Sequence, residues 1–300
     1  MRKYTFIICG LMAAFFFSCA GKNSLLNNSG AETKTYCFND SCERLLVSLS
    51  LELPMGDDDI TQMIRDSLIA DFMYSCRLAW YEEEGNVFPH YRGDMSDIQA
   101  MVDYYGKTYY SILLKYAMDD YKQFSEYILE DSTLTEAEKQ EQLDNIPMWM
   151  LESRMDRLTD TLNVTTYNSL SYVYYGGAHG GIIGTGAITF DKRSGHKISR
   201  FIRDDAEEAI QPFLLKGLQQ YYMEYGDTIT EEEAASHLII DSELIPLPVQ
   251  TAYPNATKDS LILTYKEYEI ACYADGMPSF RIAVKDIEKY LTEEGKQLLK

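Results

Sequence analysis

The chain is short of basic side chains, histidine and tryptophan: 27 Lys and Arg stand against 47 Asp and Glu, with 4 His and 2 Trp among 300 residues. A formal charge of −20 repels phosphate backbones and anionic headgroups, so nucleic acid is excluded as a partner and cationic ligands are favoured. No segment reaches the roughly eighteen uninterrupted apolar residues that a membrane-spanning helix needs. The few histidines bear on metal chemistry. His90, His196 and His237 show no ligand pairing with Cys37, Cys42, Cys76 or Cys272, whose spacing is not that of a zinc ribbon, so no metal and no cofactor is expected. Gly-x-Ser-x-Gly, His-Glu-x-x-His and Gly-Lys-Ser/Thr are all missing, which removes the nucleophile elbow, the zincin helix and the phosphate loop. Gly184-Thr185-Gly186 does not rescue a dinucleotide site, because Thr189 stands where the third glycine belongs.

The N-terminus shows what is present instead. Arg2 and Lys3 precede the apolar run Phe6 to Phe17, which ends in Phe16-Phe17-Ser18-Cys19. A positive start, a short apolar stretch and a small residue before cysteine form an export signal over 1–18. It resembles a bacterial lipoprotein leader, and that resemblance implies lipidation of Cys19, the palmitate-type anchor being the only hold on the membrane. Ala20-Gly21-Lys22-Asn23 lacks acidic residues just after the cysteine, which favours the periplasmic face of the cell envelope. Losing Arg2 and Lys3 with the leader leaves 25 basic side chains against 47 acidic ones, a formal charge of −22.

The rest of the composition is that of folded protein, with 46% hydrophobic and 25% charged residues. An exported chain permits disulfides. Cys37 and Cys42 are close enough in sequence to close a small loop, but four cysteines allow three connectivities and the sequence does not choose. Cys272 reads as a small packed residue of a strand.

Asn, Ser, Gly and Thr dominate from Ala20 to Phe38, the composition of a flexible tether, assigned to 19–40. Leu45, Val47, Leu49, Leu51 and Leu53 alternate with polar residues and predict a strand. Acidic Asp57 to Asp59 then open a helix marked by Ile60, Ile64, Leu68 and Phe72. Ile98, Met101, Val102, Tyr105, Tyr109, Ile112, Leu113 and Tyr116 mark one side of a long helix with a potential break at Gly106. Thr135 with Glu138 is a capping box for a short helix ending near Asn145. Strands follow at 148–161, 165–175 and 182–190, then a turn at Asp191 to Gly195. A helix opened by Asp204 and Glu207, a shorter one capped by Thr230 and Glu233, strands at 260–265 and 279–284 and a helix at 285–291 complete the chain. This order predicts an α+β fold, mainly antiparallel sheet with packed helices, as an N-terminal domain over 41–165 and a C-terminal domain over 166–300.

Tyr174-Tyr175-Gly176-Gly177-Ala178-His179-Gly180-Gly181 packs four glycines around one histidine directly after a predicted strand. Glycine admits positive φ and close backbone approach, so the string reads as a shaped loop, with Tyr175, Gly176, Gly177, Ala178, His179 and Gly180 as candidate ligand-binding residues. The plainer alternative is a tight connection with a packed histidine.

Those residues, with Ala187 to Asp191, Ser194-Gly195 and Ile198, resemble the "Y-x-G-G-A-H-G … FD … TG" core of the C-terminal domain of RsiV-type and PdaC-type bacterial envelope proteins. Leu261 to Tyr265 followed by Tyr268-Glu269-Ile270-Ala271, Tyr273-Ala274-Asp275-Gly276 and Phe280 to Val284 is similar to that domain's second block. This is the domain of unknown function DUF3298; the N-terminal half, at 45–54 and 57–74, resembles more weakly DUF4163. The resemblance implies a theme of the cell wall and its attackers, since some relatives bind lysozyme and others carry polysaccharide deacetylase domains. The sigma-binding segment and the deacetylase's Asp and paired His are both missing here.

Two functions follow. One is a lipid-anchored envelope binding module for a lysozyme-like or other basic protein, or for peptidoglycan or another wall glycan. The alternative is an envelope hydrolase acting on peptidoglycan or glycan, with His179 as general base beside an unidentified carboxylate. Catalysis needs at least two converging groups and no motif supplies them, so the sequence favours a binder over an enzyme and names no catalytic residue.

Overall fold

The computed structural model describes residues 32–80, 88–177, 180–224, 228–248 and 252–300, apart from the side chains of 182–185. The leader, Cys19 and the tether up to residue 31 lie outside the described residues.

The strand-forming alternation of the first half builds one five-stranded sheet. Its members are β1 (Thr33–Cys42), β2 (Leu45–Pro54), β3 (Trp149–Asp160), β4 (Val164–Tyr174) and β5 (Gly181–Asp191), in the order β1-β2-β3-β4-β5. All pairs are antiparallel except β2 with β3. That parallel pair follows from the long crossover through α1 (Asp59–Leu78), α2 (Ile98–Glu130) and α3 (Glu136–Asp144), since a hairpin cannot join parallel strands. Leu45, Val47, Leu49, Leu51 and Leu53 all point to one face and are fully buried. Ile64, Leu68, Phe72 and Cys76 of α1 and Met101, Val102, Tyr105, Tyr109 and Leu113 of α2 belong to the same core. Each such Leu or Phe contributes about 1.5–3 kcal/mol by leaving water. The helix starts are those the sequence predicts: Asp58 caps α1, and Thr135 with Glu138 forms the capping box of α3.

Two expectations change here. The tether over 19–40 gives way from Thr33 onward to β1, which pairs residue for residue with β2 from Thr33–Pro54 to Cys42–Leu45. Its Phe38 lies on α2 at Gly106, where a Cβ would stand 2.1 Å from the ring, so that glycine permits a close crossing and α2 runs through it unbroken. None of Cys37, Cys42, Cys76 and Cys272 forms a disulfide. Cys37 and Cys42 are an odd number of residues apart on one strand and so point to opposite faces of the sheet.

The second apolar cluster lies C-terminal. It gathers Ile210, Leu214 and Leu218 of α4 (Glu207–Glu224) and Ala234 of α5 (Glu231–Ser236), which the Thr230–Glu233 box caps. These pack with Leu261, Leu263, Phe280 and Ile282 of a three-stranded antiparallel sheet, β6 (Tyr253–Pro254), β7 (Ser260–Thr264) and β8 (Ser279–Ala283). Ile287 of α6 (Val284–Ile287) and Leu298 of α7 (Glu293–Leu299) close it. Val164, at the start of β4, belongs to this second cluster, while Tyr167 and Phe190 belong to the first. The first sheet therefore crosses position 165/166 and ends at Asp191. The fold is α+β and mainly antiparallel.

Candidate functional site

Register determines what the helix-free face of the first sheet displays. Because side chains alternate, the residues between the buried leucines face away from α1 and α2, and the pairing aligns them in rows. One row runs Asn39, Ser48, Glu152, Tyr172; the next runs Ser41, Leu46, Met150, Tyr174; a third runs Cys37, Ser50, Arg154, Leu170. Ser48 Oγ donates to Asn39 Oδ1 at 2.6 Å, and the Cys37 thiol lies 3.8 Å from Ser50 Oγ, so the β1–β2 side is a low polar floor. Glu152, Arg154, Tyr172 and Tyr174 are all half-buried.

The glycine-rich loop begins where this face meets β4's end. Tyr174 OH donates to the Gly177 carbonyl at 3.0 Å, and Tyr175 OH donates to the Ala79 carbonyl at 3.0 Å while its ring lies 5.2 Å from that of Trp149. Trp149 Nε1 donates to Asp120 Oδ2 at 3.0 Å, and that oxygen would lie 3.2 Å from a Cβ at Gly176. Gly176 and Gly177 have φ of 84° and 97°, so the loop uses the left-handed region twice in succession. Gly180 has a different reason: a Cβ there would stand 2.1 Å from Tyr172 Oη. Of the six candidate binding residues, Tyr175, Gly176, Gly177 and Gly180 are thus placed together, and Ala178 and His179 lie outside the described residues.

The second motif block arrives at the same place. Burial first, then the nearness of Tyr273, Glu267 and Tyr174, holds the Tyr172 phenol above its usual range. Tyr273 is raised by burial and then by Glu267, and Tyr174 by burial and then by Asp120. All three phenols therefore stay protonated, and the Tyr174 proton is the one given to the Gly177 carbonyl. Tyr268 and Tyr273 have ring centroids 6.1 Å apart. Tyr268 is 55% exposed and adopts φ of 63°, a conformation that costs a side-chain-bearing residue on the order of 1 kcal/mol and recurs at functional sites. The arrangement offers aromatic faces, phenol donors and carboxylates on a polar floor, a combination suited to hydroxyl-rich ligands.

A second cluster escaped the sequence reading. Cys272 opens a 3₁₀ turn instead of lying in a strand, and its thiol donates to Asp275 Oδ2 at 2.9 Å. His237 Nδ1 meets Asp275 Oδ1 at 3.0 Å, and its ring stacks on Tyr222 at 4.3 Å. The Tyr222 hydroxyl is buried without a partner and is pushed up to about 12, by burial first and then by Asp275 and Cys272. Here the carboxylate stands between thiol and imidazole, so the imidazole is not placed to take the thiol proton as a hydrolase triad requires. The Cys-x-x-Asp spacing was visible in the sequence; His237, 35 residues before Cys272, carried no local signal. Among the described residues no group of three His, Cys, Asp or Glu side chains is spaced to hold a metal ion, and no helix is long and apolar enough to cross a membrane.

No curated protein matches the sequence. A crystal structure of a DUF3298 family member from Bacteroides fragilis is similar with a TM-score of 0.61 at 18% identity, covering 91% of this chain and 99% of that one. A DUF3298 family protein from Pseudomonas aeruginosa gives 0.49 at 15% identity, over 88% and 95%. The first likeness extends the shared fold across both apolar clusters. The family described as "Protein of unknown function (DUF3298)" matches residues 199–285, after the glycine-rich block and including the Tyr268 to Gly276 block. Residues 199–285 of this chain are a DUF3298 domain.

Proposed function

We propose that this chain is a lipid-anchored envelope binding module, kin to the RsiV-type and PdaC-type proteins with a DUF4163-like N-terminal half, and that its ligand is a wall glycan. The observation that carries this is the convergence of Tyr172, Tyr174, Tyr268 and Tyr273 with Glu152 and Glu267 beside the helix-free sheet face. Sugar rings pair an apolar face, which stacks on tyrosine, with hydroxyls that exchange hydrogen bonds with phenols and carboxylates. A basic protein would draw on charge instead. The two ligands differ in salt dependence, because a contact through a −22 surface weakens as the Debye length falls from about 10 Å at 0.1 M to about 3 Å at 1 M.

The test is titration of the chain carrying Cys19→Ala with soluble peptidoglycan fragments and with lysozyme at both salt concentrations. Fragment binding that persists at high salt and falls about tenfold in Tyr268→Ala, the loss of one stacking face, supports the reading. Failure of every fragment to bind, with lysozyme captured at low salt only, overturns the glycan in favour of a basic protein. The anchor has its own readout: Cys19→Ala is expected to abolish membrane retention or leader processing, and unchanged retention with unchanged mature mass removes the lipoprotein assignment.

A further inference from the structure

The point at which the N-terminal segment joins the first sheet selects which end of the body meets a membrane first. Met55 N donates to the Glu32 carbonyl at 2.7 Å, so the chain enters the body where β1 begins and β2 ends. The parallel β2–β3 register carries the β3–β4 hairpin to the same end. Lys192 N, donating to the Asn163 carbonyl at 2.8 Å, ties the Asp191 to Gly195 turn to that hairpin. α1 starts there too: a Cβ on Gly195 would lie 3.1 Å from Met63 Cβ, and Arg65 Nε donates to the Pro54 carbonyl at 3.2 Å. Leu162, on the hairpin tip, is 88% exposed, more than any other large apolar side chain among the described residues, and Met55, Met63 and Leu158 of the same end are exposed as well. The opposite end differs in charge. Arg44, in the β1–β2 turn, lies 3.7 Å over the Tyr121 ring and donates to the Ile146 carbonyl at 3.4 Å, which sets the last turns of α2 and the segment after α3 at the far end of the strands. Nine Asp and Glu of 118–145 stand there against Lys122 and Lys139, whereas Lys34, Arg65, Arg157, Lys192, Arg193 and Lys197 come close to balancing the acids of the Glu32 end.

We propose that the Glu32 end of the first sheet lies against a phospholipid bilayer, with Leu162 entering the boundary between headgroups and acyl chains. The inference rests on the N-terminus being held at a membrane, as the lipoprotein reading above has it. Twelve residues lie between Cys19 and Glu32, a reach of at most about 45 Å, and the length of a ten-residue strand adds about 33 Å before the far end begins. An exposed leucine gains by leaving water, but one leucine with a few neighbours binds a bilayer too weakly to hold a protein there. Once the N-terminus is held, contact becomes intramolecular, and a small apolar tip is enough to set the orientation. Charge acts in the same sense, because anionic headgroups repel the far end most and the Glu32 end least. Lys192 and Lys197 are paired with Asp160 and Asp71, both at 2.7 Å, so this end is neutral and the apolar side chains make the contact. β4 runs from Val164 at this end to Tyr174 at the other, which displaces the Tyr172 and Tyr174 site by up to about 30 Å from the bilayer, toward the wall.

The test replaces the lipid by a tag, so that it does not depend on lipidation: the mature chain carrying Cys19→Ala, with a histidine tag ahead of residue 19, is held on vesicles through nickel-chelating lipid. The vesicles are phosphatidylcholine and phosphatidylglycerol whose acyl chains carry bromine, a quencher of indole fluorescence. Trp80 and Trp149 are buried, so emission from the otherwise native chain supplies the background. Leu162→Trp, at an exposed position, is expected to shift to the blue and lose emission on brominated vesicles relative to unbrominated ones. Tyr127→Trp, exposed on the last turns of α2 at the far end, is expected to keep its emission on both. No quenching at Leu162→Trp, or quenching at Tyr127→Trp equal to it, overturns the proposal whatever the fate of the lipoprotein assignment, which the retention of Cys19→Ala decides separately.

Discussion

Replacing Gly106 with alanine discriminates between an ordered β1 and a loose tether by the sign of a stability change. Glycine in the middle of a helix costs about 1 kcal/mol relative to alanine, so Gly106→Ala on an unencumbered α2 would stabilise by that amount. In the folded chain the new Cβ would lie 2.1, 2.2 and 2.7 Å from Cγ, Cδ1 and Cδ2 of Phe38. Carbon atoms rest at about 3.5–4.0 Å, so the root of the ring, not a mobile tip, has to retreat by more than about 1 Å. Overpacking of this kind costs about 1–3 kcal/mol, which exceeds the propensity gain and leaves a net loss of about 1 kcal/mol. With Phe38→Ala as background the obstacle is gone and Gly106→Ala is expected to stabilise by about 1 kcal/mol, a coupling of about 2 kcal/mol between the two positions. Urea unfolding followed by tryptophan fluorescence reads this directly, because Trp80 and Trp149 both lie in the first core. Stabilisation by Gly106→Ala in both backgrounds would refute the β1–α2 contact.

The loop glycines separate by mechanism. Gly177→Ala meets no atom within 4 Å and loses only the left-handed allowance, about 1 kcal/mol of stability with glycan binding unchanged; Gly180→Ala displaces the Tyr172 hydroxyl and is expected to weaken glycan binding; Gly181→Ala meets nothing and has no positive φ, so it stays within about 0.5 kcal/mol. Equal effects from all three, measured by thermal unfolding and titration, contradict this assignment. Two aspartates give opposite pH dependences. Burial raises the Asp156 carboxyl above the usual range, ahead of the opposing pull of Arg154, so its contribution is full below the unfolded value and is lost as pH rises through the folded one. Asp156→Asn is therefore expected to be more stable than the native chain near neutrality, with the gap closing in acid. Hydrogen bonds from Arg193 lower Asp191, so its contribution is present at neutrality and lost as pH falls; Asp191→Asn is expected to be less stable near neutrality, and denaturant titrations from about pH 3 to about pH 7 compare the two.

β2, α1 and α3 were legible because their signals are local: a leucine at every second position, an Asp58 cap, a Thr135–Glu138 box. β1 was not, because its helix-facing residues are Lys34, Tyr36, Phe38, Asp40 and Cys42, a stripe interrupted by a charge at its start and another before its end. Pairing with β2, and not its own apolar pattern, makes it a strand. Gly106 misled in the same way, since a helix breaker in isolation becomes the condition for a close crossing once Phe38 is opposite it. The parallel β2–β3 register left no trace in either segment, yet it alone places Ser48 beside Glu152, and the β3–β4 hairpin then places Glu152 beside Tyr172. The glycine loop could be located from composition, as could the Tyr268 to Gly276 block, but nothing in either states that Tyr172 stands beside Tyr273, 101 residues later. β4 touches both clusters, Val164 at its start lying in the second core and Tyr167 in the first. The face on which Tyr172 and Tyr174 stand is set by the pairing of β4 with β3, which aligns them with Glu152 and Met150, and no local pattern in β4 states that alignment.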